Sequence, residues 1–367
     1  MKLRTDICDF RSADAGIETT NTIEAGLAHA GEIKTTADRR FERIEALDFT
    51  KGTLVLVMVL YHWLSYFHGP YGSVFKYLRF LPPSFIFITG FLVSNAYLRK
   101  YKVTDPRLPK RLAVRGTKIL AIFVVLNVVI SLLFTGFRIF SPESLWAVYV
   151  TGNVLIAGAG KAAAFYILVP ISYLLLLSAI LVIVCRYFRY AFWVVCALCL
   201  AGIFVLDLQG FQSANLELVS IGLLGLILGY LPLEKVNYFV RYPLLIIAAN
   251  LCYLAAITFR EPNYPLQIVG VCLTLMLIYL VGTTQGEPGL LRKQIIVLGK
   301  YPLFGYIIQI AILQCLRFGM RRADLGPDWL ILPLAVALAL TVLAVIVLDR
   351  VRSKSLFVDR MYKVIFA

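Results

Sequence analysis

Uncharged apolar runs, each close to twenty residues long, recur from about residue 49 to residue 349, with short polar or basic connections between them. The runs are continuous rather than alternating. They therefore predict helices that cross a bilayer, not strands of a closed barrel. Ten spans are expected: 49–67, 81–98, 114–136, 163–185, 190–207, 215–233, 240–259, 265–283, 294–316 and 328–349. The predicted fold class is thus all-α, a polytopic integral membrane protein. Residues 1–43 are polar, mixed in charge and without a sustained apolar face, which predicts a flexible cytoplasmic tail and no cleavable signal segment. Residues 44–352 form the membrane domain, and 353–367 a basic C-terminal tail.

Composition agrees with this pattern: 60% of the 367 residues are hydrophobic and only 16% are charged, well away from the balance of a soluble domain. The net charge of +15 raises the question of nucleic acid, but the placement of the charges answers it. With the N-terminus inside, cytoplasmic segments carry 27 of the 36 Lys and Arg residues and outer loops 8, with Lys51 inside the first span. That skew is the positive-inside pattern, so both termini are expected in the cytoplasm and no nucleic-acid partner is implied. The seven cysteines make no disulfide framework. Cys196-x-x-Cys199 lies inside an apolar run without a hydrophilic flank and predicts packing rather than redox chemistry.

The first span holds the strongest candidate chemistry. In LDFTKGTLVLVMVLYHW, Lys51 and His62 are eleven residues apart with no charge between them. Eleven helical residues turn through about 1100° and rise roughly 16 Å, which puts both side chains on one face. An ionisable residue deep in a span is a functional candidate, and a neutral imidazole can take a proton from an attacking hydroxyl. Lys51, near the inner boundary, either snorkels to headgroups or meets a phosphorylated ligand. A long donor with phosphates at one end and a reactive thioester at the other fits such a pair, and acyl-CoA is that kind of molecule. The basic loop from Arg99 to Lys118 adds Arg111, Arg115 and Lys118 as candidate phosphate ligands.

Weaker candidates are Asp48, which can orient Lys51 or cap the helix, and the outer-side cation Arg79. Asn127, Asn250, Gln309 and Gln314 either line a cavity or bridge helices. Gln309 is expected at a depth similar to His62. Gly222, Gly225 and Gly229 predict close helix approach. The GAGKA segment at 158–162 lacks the complete phosphate-loop pattern, and the scattered histidines predict no metal site.

Three stretches together resemble the integral-membrane acyltransferase 3 family and its wider transmembrane acyltransferase superfamily. The first is the Lys51-to-His62 spacing preceded by Leu47-Asp48. The second, PPSFIFITGFLVSNAYLRK, resembles the family's FFFLSGFL-type helix; the third, LGKYPLFGYIIQ at 298–309, its LGxxSLxxYLLH element. The resemblance implies acyl transfer, usually acetyl, from cytoplasmic acyl-CoA to a hydroxyl or amine of a glycan, lipid-linked sugar or similar acceptor, without a metal. It implies a place in the cytoplasmic (inner) membrane of a bacterium, among membrane lipids. His62 falls on the family's catalytic histidine. Lys51 stands where the family has arginine, which keeps charge but loses the bidentate fork. Gln309 stands where many members have histidine. A proton-coupled transporter or flippase of a lipid-like or glycan substrate is the alternative, and a non-catalytic scaffold a third. Few mid-span acids and no sequence repeat count against the transporter. Nothing in the sequence specifies an oligomeric state.

Overall fold

The computed structural model describes residues 44–366 apart from 69–73, 99–104, 131, 133–141, 154–164, 189, 211–212, 232, 261–262, 284–288 and 324–330. The tail 1–43, the GAGKA segment and the first part of the basic loop lie outside the described residues. All regular structure among those described is helical. In order it comprises α1 (Glu45–Trp63), α2 (Phe75–Leu78), α3 (Leu81–Leu92), α4 (Arg107–Ile130), α5 (Pro142–Trp146), α6 (Leu168–Val184), α7 (Ala191–Leu208) and α8 (Ala214–Leu228). There follow α9 (Leu233–Val240), α10 (Pro243–Phe259), α11 (Tyr264–Gly282), α12 (Leu290–Lys300), α13 (Pro302–Arg322), α14 (Ile331–Lys354) and α15 (Leu356–Phe366). π-helical turns extend α1 through Leu64–His68 and α3 through Val93–Leu98.

Among the described residues, six helices are long and apolar enough to cross a membrane: those of α1, α2–α3, α4, α11, α13 and α14. Four shorter apolar helices (α6, α7, α8 and α10) coincide with the other expected spans. The ninth expected span differs. Residues 294–316 are not one helix, because the chain breaks at Tyr301 (φ −125°, ψ 45°) ahead of Pro302. Proline lacks an N–H and drives the preceding residue out of helical geometry. Leu290–Lys300 is therefore a separate helix, α12, and the apolar helix begins at Pro302. The C-terminal segment also departs from a plain tail, since Leu356–Phe366 is helical.

Close backbone contacts fix which helices run side by side. A Cβ on Gly52 would stand 1.9 Å from the Ile295 carbonyl oxygen, and one on Gly299 would stand 1.7 Å from that of Asp48. Only glycine lets α1 and α12 approach so closely. The expected glycine packing on α8 is found, with Gly225 against Phe87 and Gly229 against Phe91. Increasing residue numbers match on both sides, so α3 and α8 are parallel. Ser94 and Asn95 then donate to the Leu226 and Gly229 carbonyls across the same seam.

Other pairs give directions in the same way. Val55 meets Gly305 and His62 meets Gln309, so α1 and α13 are parallel. Gly305 meets Val345, and Leu313 clusters with Ala337, so α14 runs back against α13. Pairs Gly116–Ser172 and Asp105–Arg186 make α4 and α6 antiparallel, and Asn250–Leu273 with Tyr253–Gly270 does the same for α10 and α11. The Tyr61 and Phe75 rings meet at 5.5 Å, which reverses the chain between α1 and α3. As a result, the start of α1, the end of α3 and the end of α14 all lie at one end of the helical bundle.

Candidate functional site

His62 projects from the far part of α1 into a shell supplied mainly by α13. Its ring centroid lies 5.8 Å from that of Tyr306, 6.0 Å from Tyr66 and 5.5 Å from Tyr61. Tyr66 is one turn further along from His62, where the helix loosens into its π turn, a feature common near functional sites. Tyr306 and Gln309 are three apart on α13 and so share a face. His62 keeps some accessible surface although protein surrounds it, while Tyr306 is 6% exposed and Gln309 fully buried.

Gln309 Nε2 lies 3.4 Å from His62 Nδ1, and Gln309 Oε1 is buried without a hydrogen-bond partner. A half-turn of the carboxamide exchanges its two ends. Oε1 then accepts from Nδ1–H, the stranded acceptor is satisfied, and the lone pair is left on Nε2. Gln309 and the backbone carbonyl of Met58, which also accepts a hydrogen bond from the ring, together orient the imidazole.

The shell continues toward the loops that follow α1. Tyr166 stands at the start of the α6 segment and interacts electrostatically with Tyr61, Glu217 and Arg79. It is delivered by a strained turn: Phe165 is buried in the left-handed region (φ 67°), and its ring packs on Tyr306 at 5.8 Å. Such a conformation costs about 1–3 kcal/mol and persists only where packing enforces it, commonly at functional sites. Arg79 is exposed, yet its charge acts on Tyr61, Tyr166 and Tyr253. The guanidinium of Arg317 lies 5.8 Å from the Tyr66 ring, whose hydroxyl faces Gln314 Nε2 at 3.5 Å.

The other end of the bundle carries a second feature. A cleft of about 520 Å³ is lined by Tyr97, Arg107, Lys110, Arg111, Val114 and Arg115. Arg115 donates to the Tyr97 hydroxyl, and its guanidinium lies 5.8 Å from that ring. Four cations around one concavity form a site for an anion. Two of the three expected basic residues, Arg111 and Arg115, thus share a cleft. Lys118, half-buried three residues on, does not line it, because it sits a turn further along the same face of α4.

Lys51 does not line the cleft either. Its ammonium pairs with Asp48 at 2.5 Å, both side chains being largely buried. Asp48 therefore orients Lys51. The capping alternative is excluded, because the helix begins three residues earlier at Glu45. Asn127 donates to the Phe123 carbonyl of its own helix. Asn250 donates to Ile246 and to Leu273, which is the bridging role between α10 and α11.

Sequence reasoning named His62 and Gln309 but missed the tyrosines around them. Tyr66 and Tyr306 carried a signal, since each is one turn from a named residue. Tyr166, in the turn before α6, and Tyr97, in the cleft at the other end, had none. No protein-family model, curated protein or solved structure matches this chain.

Proposed function

We propose that this protein is a membrane acyltransferase that moves an acyl group, acetyl above all, from cytoplasmic acyl-CoA to a hydroxyl or amine of a glycan, lipid-linked sugar or similar acceptor. The observation that carries the proposal is the separation of two sites along one bundle. A tyrosine-lined histidine held by Gln309 sits toward one end, and a four-cation cleft opens at the other. The ten apolar helices, paired in directions that fit a chain reversing at each one, support ten crossings with both termini in the cytoplasm. In this reading the cleft opens at the cytoplasmic face of a bacterial inner membrane.

In this scheme Arg107, Lys110, Arg111 and Arg115 offset the charge of the donor's phosphates. His62 Nε2 removes the proton as the acceptor oxygen attacks the thioester carbonyl. The tetrahedral intermediate then collapses, the carbon–sulfur bond breaks, and the thiolate leaves and takes up the proton. Lys51, held by Asp48, stands on the His62 face of α1 and contributes positive charge along the donor's path. Tyr61, Tyr66 and Tyr306 give the acceptor aromatic surface and hydroxyl partners.

Thermal stability of the purified protein tests donor binding. Acetyl-CoA should raise the unfolding temperature in proportion to the logarithm of its concentration, and Arg111→Ala/Arg115→Ala should lose that rise. No rise with the unaltered protein would contradict the donor assignment and favour transport.

A further inference from the structure

Helix α15 has two faces that meet different things. On one, Tyr362 packs edge-on against Tyr301 (5.4 Å) and stacks with Phe366 (5.0 Å), while Phe366 reaches Phe304 (6.2 Å). Arg352 of α14 lies over the Tyr362 ring at 4.1 Å and forms an ion pair with Asp359, which Lys363 also engages. On the opposite face Leu356, Phe357, Met361 and Val364 are 79%, 71%, 47% and 68% exposed. At 100° per residue these four fall within about 140° of arc.

The direction of α15 follows from the same contacts. A continuation of α14 would carry Phe366 roughly 18 Å beyond Lys354. Instead its ring meets Phe304, in the first turn of α13. The helix therefore folds back across the end of the bundle, immediately after an apolar helix of mean hydropathy 3.0. Arg350, Lys354, Arg360 and Lys363 around it are exposed, and Asp359 is the single acid from 350 to 366. Arg360 falls within the same arc and Lys363 borders it, so the exposed face mixes apolar residues with long cations that can snorkel, and at the end of an apolar helix it matches a helix that rests in a headgroup layer.

We propose that α15 is an in-plane interfacial helix that binds anionic phospholipid with its Leu356–Phe357–Met361–Val364 face and thereby clamps the α12–α13 break at Tyr301. The apolar face enters the acyl boundary, and the flanking cations meet phosphate headgroups. The docked face transmits the attachment to Tyr301 and Phe304, and so to the helix that carries Tyr306 and Gln309. No α15 residue lines the four-cation cleft, although α15 also touches α4, and the proposal does not depend on acyl transfer.

Amide hydrogen exchange of the full chain tests it, in nanodiscs of phosphatidylcholine alone or of an equal mixture with phosphatidylglycerol. The α15 amides should exchange more slowly in the anionic discs by roughly fivefold or more, the factor one cation contributes at such a surface. High salt should shrink the difference, and Phe357→Glu/Val364→Glu should abolish it while the α1 and α13 amides stay protected. Equal exchange in the two lipids, or a lipid effect that survives the double substitution, would overturn the proposal. Protection that rises with protein concentration in lipid-free detergent would also overturn it, by assigning the face to a second copy.

Discussion

A glutamine beside a histidine, both away from bulk water, is a defined chemical unit. Gln309 Oε1 is buried without a partner, and Gln309 Nε2 lies 3.4 Å from His62 Nδ1. In the proposed enzyme, Gln309→Leu should lower kcat roughly tenfold, the loss of one buried hydrogen bond worth about 1–1.5 kcal/mol, with KM little changed. Steady-state kinetics with acetyl-CoA and acceptor checks this, and an equal rise in KM alone would count against an orienting role. Much of this unit was legible beforehand. A histidine inside an apolar run is rare enough to be noticed, and Gln309 was expected at its depth. The partner of Lys51 was legible as well, because Asp48 lies one turn before it. The Tyr166 contribution was not, since it depends on a strained turn at Phe165 that no local pattern announces.

At the scale of elements, glycine contacts decide how closely α1 can be held to its neighbours. Gly299→Ala should destabilise the fold by about 1–3 kcal/mol, because its methyl would meet the Asp48 carbonyl. Gly202→Ala on α7, with open space around it, should be neutral or stabilising by up to about 1 kcal/mol. Thermal unfolding in detergent compares the two. On α15, Lys363 and then Arg352 hold the Asp359 carboxyl below the usual carboxylate range. A depressed carboxylate contributes stability above its unfolded pKa and loses it as pH falls through the folded value. Protection of the α15 amides, corrected for intrinsic exchange, should therefore be flat near neutrality and fall at acid pH below the carboxylate range. Asp359→Asn should remove that dependence. Helix positions were readable from apolar runs, yet two boundaries were not. The apolar residues of α12 merge with those of α13 across Pro302, and α15 is short with charges interleaved among its apolar positions.

For the whole molecule, the parallel pairing of α1 with α13 and the return of α14 bring Glu45 and Lys354 to one end. The charge skew supports the cytoplasm as the side that end faces. A C-terminal green fluorescent protein fusion should fluoresce, whereas a C-terminal alkaline phosphatase fusion should be inactive; the reverse pattern would invert the topology. The all-helical class and the presence of several helices long and apolar enough to span could be read from the chain, because bilayer thickness constrains apolar length so strongly. The cleft needed the tertiary structure, since Tyr97 joins four cations of α4 only when α3 and α4 are packed. The claim on which the account turns is that His62 is the base for acyl transfer. Its most direct test is acceptor acylation by purified protein in liposomes supplied with acetyl-CoA, comparing the unaltered chain with His62→Ala. A fall of about 10²–10⁴-fold with unchanged thermal stability is the predicted result, and a rate equal to that of the unaltered protein would contradict it.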